Sequence, residues 1–511
     1  MNVQVNTQPG DRFAWLWLIV GAVLLSVGSM QTVVPLAGWL APVFLLRAVR
    51  TRRALVVLPG LAIAGYLATL IAMRGFFPMP GLYAFALPGL FIVVVYGADK
   101  WLAPRLAGVW RTLVFPLADT AFTFLFSDGE FATVGASAYT QAANLPLAQL
   151  VSITGIWGLG FLLAWFAAVV NELWQHGFDI RANRALAGLF TAVLAAVLLF
   201  GGLRLAFFAP TASTVRVAAL APDRILNDAF AAAAIGSQPR TATERAALRT
   251  RYLDPLLDDL FARTYEAAAG GAKIVVWAEA AGFVFKEDET AVLQRAQALA
   301  RETGVYLELG LVFILPTTDY PFNENRAILI DPGGTILWDY AKSVQVLSDG
   351  NAPGPGIVPV VDTPYGRLAT VICFDADYPA LVRQAGQAGA DILLVPASDW
   401  QPIAEMHSRM AIFRAIENGV ALVRPTRQGT SLAVDHLGRL LGYKADYFVG
   451  DDHTMIVNVP VKGTSTLYVL IGDSFAYLSV IGFVILAAAA LWRRRILPLT
   501  AHADAPAVTM P

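Results

Sequence analysis

The sequence has one cysteine, Cys373, which excludes an internal disulfide, a CxxC redox pair and any zinc site built on several thiolates. It has few histidines. His176, His407, His436, His453 and His502 are scattered, with no HExxH and no pair at i,i+4 spacing, so neither a metal nor any other cofactor is expected. Charge is scarce as well. Asp, Glu, Lys and Arg make up 15% of the 511 residues and nearly cancel, for a formal net charge of -1, which removes the basic surface a nucleic-acid partner would need.

Apolar residues take up that space. At 57% hydrophobic the chain is too oily for an ordinary soluble protein, which points to a membrane class. Crossing a hydrocarbon core of about 30 Å takes about 20 residues of helix. Apolar runs suited to this lie at about 13–30, 32–46, 54–73, 80–98, 107–126, 151–173 and 186–208, with another at 467–491. The loops between them alternate in basic charge. Arg47, Arg50, Arg52 and Arg53 follow the second run, Lys100 and Arg105 the fourth, Arg181 and Arg184 the sixth, and Arg493, Arg494 and Arg495 the last. The intervening loops carry only Arg74. Basic loops stay in the cytoplasm, so both termini are expected there and the long segment between the seventh and eighth spans outside. A weak n-region leading straight into a second span argues against a cleaved signal peptide. Arg204, near the outer end of the seventh run, is expected to snorkel toward the interface.

The organisation follows from this: a membrane domain over 1–210, a soluble domain over 214–463, a final span at 467–491 and an Ala/Pro-rich tail over 498–511 that is expected to be disordered. Within 214–463, short Val- and Ile-rich runs such as VRVAAL, KIVVWAE, VYLELGLVF, ATVICF and DILLVP alternate with amphipathic stretches. DPGG and DHLG turns separate other pairs of runs. This pattern predicts an α/β domain with both crossover helices and hairpins.

Three polar residues stand at the ends of such runs. Cys373 closes ATVIC, Glu279 closes KIVVWAE and Lys342 follows a DPGG turn in WDYAKS. Singly, each has an ordinary reading: a lone Cys in an apolar strand is commonly an inert small hydrophobe, and a strand-end Glu or Lys commonly faces solvent. Jointly they supply a nucleophile, a base to take its proton and a cation to steady an oxyanion. A thiol needs such partners to react.

The order WAE, YAK, ICFD, followed by DILLVPASDW and HSRMAIFRAIENGVALVRPTRQG, resembles the nitrilase (carbon-nitrogen hydrolase) superfamily. The resemblance implies an α-β-β-α sandwich and a Glu279, Lys342, Cys373 triad. PLAQLVSITGIWGLGFLLAWFAAVVNELW, LVFPLADTAF and TLYVLIGDSFAY extend it to the apolipoprotein N-acyltransferase family. That family implies a phospholipid acyl donor, a thioester on Cys373 and a diacylglyceryl lipoprotein as acceptor. It also implies a bacterial inner membrane location with the catalytic domain in the periplasm. A membrane-tethered amidase, with water or another acceptor resolving the thioester, is the alternative.

Around the triad the chain departs from the family. Gly350 stands where the family has a second glutamate, with Asp349 beside it as a possible substitute, and Phe374–Asp375 replaces Tyr-Glu after the cysteine. WAE279 replaces WPE, and Arg427, Gln428 and Gly429 replace an Asn-Thr-Gly run. Asn325 either lines the site or is an edge-strand turn residue. His407, Arg414 and Glu417, at spacings suited to one helical face, either form a polar network that packs that helix on the sheet or touch substrate.

Overall fold

The computed structural model describes residues 11–28, 31–76, 86–129, 131–210, 213–234, 241–346, 350–445, 447–450 and 453–496. Helices occupy the apolar runs: Ala14–Ser26, Pro35–Thr51, Ala54–Ala72, Ala86–Leu102, Val109–Phe126, Ile156–Gln175, Arg184–Phe207 and Ser474–Ile496. Among the described residues, 5 helices are long and apolar enough to cross a membrane: Ala54–Ala72, Val109–Phe126, Ile156–Gln175, Arg184–Phe207 and Ser474–Trp492.

Several boundaries differ from the sequence-based expectation, each for a local reason. The run from 151 is broken: Val151–Thr154 forms one turn, Gly155 adopts φ 61°, and the long helix starts only at Ile156. A Cβ on Gly155 would lie 2.7 Å from the Tyr468 ring, so both the left-handed conformation and the close approach require glycine there. The run from 467 breaks in the same way at Gly472, with φ 57°, between Leu467–Ile471 and Ser474–Ile496. The second helix runs on to Thr51 rather than stopping near 46, because Arg50 is a buried partner of Asp99, donating to both carboxylate oxygens at 2.8 Å. Arg204 does not snorkel. It is 8% exposed and donates to Gln149 Oε1 at 2.7 Å. The expected tail lies outside the described residues.

Residues 214–460 fold as two stacked sheets plus a two-stranded ladder of Ala397–Ser398 with Thr426–Arg427. The first runs Thr454–Pro460, Thr214–Leu220, Ile274–Trp277, Tyr306–Ile314, Asn323–Ile330, Ile336–Ala341, with Gly282–Phe285 also paired to Tyr306–Ile314. The second runs Leu440–Lys444, Ser431–Val434, Ala421–Arg424, Ile392–Leu394, Gly366–Thr370, Val360–Thr363. Its central strands, like Ile274–Trp277, pair in parallel and are buried on both faces, which is why they read as unbroken apolar runs.

Helices Asp254–Ala269 and Glu289–Thr303 cover the first sheet through Leu257, Leu260, Phe261, Ala296 and Ala300. Pro379–Gln387 and Ala404–Asn418 cover the second through Val382, Ala385, Ala411 and Ala415. Between the sheets, Val217, Val276 and Leu329 pack with Leu368, Ile392 and Val423. The result is the α-β-β-α sandwich. Trp277 is fully buried, and its indole N–H donates to Thr264 Oγ1 at 2.9 Å, tying the helix Asp254–Ala269 to the strand that leads into Glu279. A side chain of that kind contributes about 1.5–3 kcal/mol through burial, enough to hold the strand end in register.

Glu308 is an anomaly in this core. It is fully buried, and desolvation lifts its carboxyl from 4.5 to about 8, offset only partly by the Thr370 and Trp338 side chains. The folded protein therefore keeps a proton that the unfolded chain releases above pH 4.5, so stability falls as pH rises from there to about 8 and levels off beyond it. Glu308→Gln is expected to flatten that slope and to raise stability near pH 8 by a few kcal/mol, the scale being about 1.4 kcal/mol per unit. Thermal unfolding of both proteins between pH 5 and 8.5 checks this, and parallel profiles would rule out the buried acid as the cause.

Candidate active site

Glu279, Lys342 and Cys373 are each buried just past a strand end, and the first two lie near enough to act electrostatically on the thiol. Past Ile274–Trp277 the chain turns at Ala280, which adopts φ 51°, and leaves Glu279 4% exposed. Lys342 follows Ile336–Ala341 and is 2% exposed. Its position is set by the backbone bond from Lys342 N–H to the Asn325 carbonyl at 2.9 Å. Glu279 Oε1 accepts from Lys342 Nζ at 2.9 Å and from Asn325 Nδ2 at 2.7 Å. Among the described residues, Oε2 accepts no hydrogen bond. One carboxylate oxygen is thus fixed by two donors while the other keeps its lone pairs.

Cys373 opens the short helical turn Cys373–Asp377 with φ 47°, a conformation that strains a residue bearing a Cβ and that surrounding contacts must hold. Its N–H donates to the Pro396 carbonyl at 2.8 Å, and Sγ lies 3.5 Å from the Ser398 carbonyl oxygen. Burial pushes the thiol well above its ordinary pKa, the negative charge of Glu279 pushes it further, and Lys342 and Arg424 only partly oppose this. At neutral pH the sulfur therefore carries its proton. Attack requires a base that accepts the proton as the new bond forms, and the free oxygen of Glu279 is chemically suited to that task.

The neighbouring residues depart from the sequence-based reading in instructive ways. Asp375 is a staple between the lysine and cysteine segments: Oδ1 accepts from Ser343 N–H at 3.1 Å and Val344 N–H at 2.7 Å, and Oδ2 from Tyr340 OH at 2.8 Å and Ile372 N–H at 3.0 Å. Burial lifts its carboxyl to about 6 despite these donors. Gly350 has φ 69°, and a Cβ there would fall 2.1 Å from the Phe322 ring, so this backbone has no room for a glutamate at that place. Asp349 lies outside the described residues. Phe374 packs edge-on against Tyr378, ring centroids 5.4 Å apart. Arg427 stacks on Phe283 and donates to the Ala280 carbonyl at 3.2 Å, bracing the turn after Glu279.

The helix Ala404–Asn418 does not use His407, Arg414 and Glu417 together. His407 faces the cysteine: Nδ1 is 2.9 Å from Asp399 Oδ1 and Nε2 is 3.2 Å from Asp377 Oδ2. Asp399 is chelated by Arg424 through Nη2 to Oδ1 at 2.9 Å and Nη1 to Oδ2 at 3.0 Å. Arg414 and Glu417 instead meet the membrane domain. They pair at 3.1 Å with both side chains at 0% exposure, Arg414 donates to Tyr139 OH at 3.1 Å, and Glu417 Oε1 accepts the Ile156 N–H at 3.0 Å. Asp377, Asp399 and Arg424 were not singled out in the sequence, where nothing separates them from ordinary strand-end polar residues.

Donor atoms of Cys373, Asp399 and His407 lie within 4.8 Å of one another, close enough to raise the question of a metal. The donors are already committed. Both Asp399 oxygens are held by Arg424 and His407, and an imidazole flanked by two carboxylates is protonated and has no lone pair to offer. The donor set does not fit a resident metal.

Both walls of the cysteine site touch loops of the membrane domain. Thr133 Oγ1 donates to the Asp377 carbonyl at 2.8 Å and Tyr378 OH to the Gly129 carbonyl at 2.9 Å. On the other side, Trp400 Nε1 donates to the Gly75 carbonyl at 2.9 Å, and its ring meets Phe76 edge-on.

Comparison with known proteins agrees with this architecture. Residues 232–468 match the carbon-nitrogen hydrolase family. An apolipoprotein N-acyltransferase from Geobacter metallireducens is 27% identical over 419 residues, 76% of this chain and 76% of the relative. Another, from Rhodopseudomonas palustris, is 26% identical over 66% of this chain and 65% of its own length. A deaminated glutathione amidase from Yersinia enterocolitica is 27% identical over 30% of this chain and 61% of the relative.

Proposed function

We propose, on the premise that residues 232–468 match the carbon-nitrogen hydrolase family, that the chain transfers an acyl group from a membrane phospholipid, through a Cys373 thioester, to a lipoprotein amine. The acceptor is the α-amino group of an N-terminal cysteine carrying diacylglyceryl. The similarity to an apolipoprotein N-acyltransferase covers 76% of this chain and so extends beyond the α/β domain, whereas the match to the amidase covers 30%.

The proposed chemistry uses the three strand-end residues in turn. Cys373 Sγ attacks the ester carbonyl of the phospholipid while Glu279 Oε2 takes the thiol proton, and the Lys342 ammonium steadies the oxyanion. Collapse breaks the ester C–O bond. Glu279 returns the proton to the departing lysophospholipid oxygen, leaving the thioester. The lipoprotein amine then attacks the thioester, Glu279 accepts its proton, and the C–S bond breaks as the proton passes to sulfur. Asn325 keeps the other Glu279 oxygen occupied, so a single oxygen carries the proton.

The observation that carries this reading is the placement of the cysteine between two contacts with the membrane domain, Thr133 to Asp377 and Gly75 to Trp400. A nucleophile seated at that junction suits two lipid-anchored substrates that cannot leave the bilayer cheaply. The alternating basic loops support cytoplasmic termini in a bacterial inner membrane, with this domain on the periplasmic side.

Incubation of the purified protein with phospholipid labelled in its acyl chain is expected to place one label on Cys373 and none on Cys373→Ala. Adding a diacylglyceryl lipopeptide should then discharge the label onto the peptide amine. Release of free fatty acid with the peptide untouched would favour the amidase-type alternative, and an unlabelled Cys373 would sink the thioester altogether.

A further inference from the structure

The proposed triad leaves a buried charge cluster beside Cys373 without a task. The turn that carries the nucleophile ends at Asp377, and Asp399 directly follows the short strand Ala397–Ser398, whose Ser398 carbonyl faces the sulfur. His407 reaches both, with Nε2 at 3.2 Å from Asp377 Oδ2 and Nδ1 at 2.9 Å from Asp399 Oδ1. The first contact is an ion-pair distance without hydrogen-bond geometry and the second is a hydrogen bond, so a neutral imidazole would hold Asp399 alone, whereas an imidazolium attracts both carboxylates by charge.

We propose that His407 is a positioning residue for the nucleophile: as an imidazolium bridging Asp377 and Asp399, it clamps the strained Cys373 turn against the Ser398 strand end and fixes the thiol for attack. The inference rests on the acyl-transfer reading for its consequence, but the clamp itself concerns only this chain.

The surroundings favour the charged form. Asp377 and Asp399 face the ring from opposite sides, and together they outweigh the cost of burial, raising the imidazole to about 9. Arg424 holds Asp399 in place, and Arg414, already paired with Glu417, lies beyond Asp377, with the Cys373 thiol alongside. For Asp399, burial opposes ionisation, but Arg424 and His407 more than compensate and keep the carboxyl below its ordinary value. The strain supplies the need for a clamp. A residue with a Cβ at φ 47° relaxes unless its neighbours prevent it, and the thiol, now 5% exposed, would then become accessible.

The clamp therefore predicts two opposite changes. Loss of the bridge lowers acyl transfer while making the sulfur easier to reach. Because Cys373 is the chain's only thiol, alkylation by iodoacetamide reads that sulfur alone, with no need for any acyl-transfer activity. In the full-length protein in detergent, His407→Gln is expected to lower kcat about tenfold with KM changed less than twofold, and to raise the alkylation rate at pH 7.5 severalfold. In the unsubstituted protein, kcat should decline above about pH 9, against the rising trend of a simple thiol. Asp377→Asn, which keeps the imidazole and Asp399, should move that decline to lower pH and give the same opposed changes in smaller measure, so it serves if His407→Gln does not fold. Unchanged alkylation together with unchanged kcat would overturn the clamp, as would a raised KM at full kcat, which would make His407 a substrate contact. Absence of acyl transfer with faster alkylation in the variants would refute the function and leave the clamp standing.

Discussion

Glu279→Gln is expected to slow acylation of Cys373 by about a thousandfold, within the range of about 10²–10⁴ that a positioned base contributes. The substitution is nearly isosteric, so the amide oxygen can still accept from Lys342 and Asn325 and the strand end keeps its shape. It cannot take a proton. Because burial and neighbouring negative charge keep the thiol protonated at neutral pH, no standing thiolate is available to bypass the base. The ammonium of Lys342, 2% exposed, also loses the carboxylate it faces, which adds to the effect. Single-turnover acylation measured between pH 7 and 10 tests this. The variant should recover part of its rate at high pH, where hydroxide removes the thiol proton directly. A loss of less than tenfold would remove Glu279 from the role of base.

The second large effect concerns the joint between the two domains. Arg414→Met is expected to cost about 3–5 kcal/mol of stability, the usual penalty for stripping one partner from a buried ion pair. Both side chains of the Arg414–Glu417 pair are at 0% exposure, so Glu417 has no solvent to turn to. Burial already lifts its carboxyl to about 7, with Arg414 the main opposing influence. Without Arg414 the group holds its proton to still higher pH, and the unfolded chain, which ionises above 4.5, gains relative to the folded one as pH rises. The deficit should therefore be nearly constant from pH 5 to about 7 and grow above that, where only the unsubstituted protein ionises the group. The double variant Arg414→Met, Glu417→Met should regain most of the loss, because well-packed apolar groups replace a costly pair. Thermal and denaturant unfolding of the single and double variants decide it, and equal destabilisation in both would assign the cost to packing rather than charge.

The sequence alone carried much of the architecture, because hydrophobic periodicity is a local property. The unbroken apolar runs IVVW and ILL had to be buried on both faces, and the spans had to be long and oily whatever surrounded them. Helix breaks were not legible in the same way. Gly155 and Gly472 look like any other glycine in an apolar run, and only the packing of Tyr468 on one and Arg383 beside the other shows why a side chain would not fit.

The candidate site divides along the same line. Glu279, Lys342 and Cys373 could be named from their positions at strand ends, and Asn325 from the resemblance. Their convergence depends on register between strands far apart in the chain, such as the pairing of Val312 with Asn325 and the bond from Lys342 N–H to the Asn325 carbonyl. Helical spacing placed His407, Arg414 and Glu417 on one face, but it could not tell that the first would meet Asp377 and Asp399 while the other two met Tyr139 and Ile156. Which apolar runs are buried and which strand ends are polar was thus determined by the sequence itself, through the free energy of removing apolar surface from water. Which charges face one another was decided only by the tertiary structure, since a buried charge takes its partner from whatever the fold brings within a few ångströms.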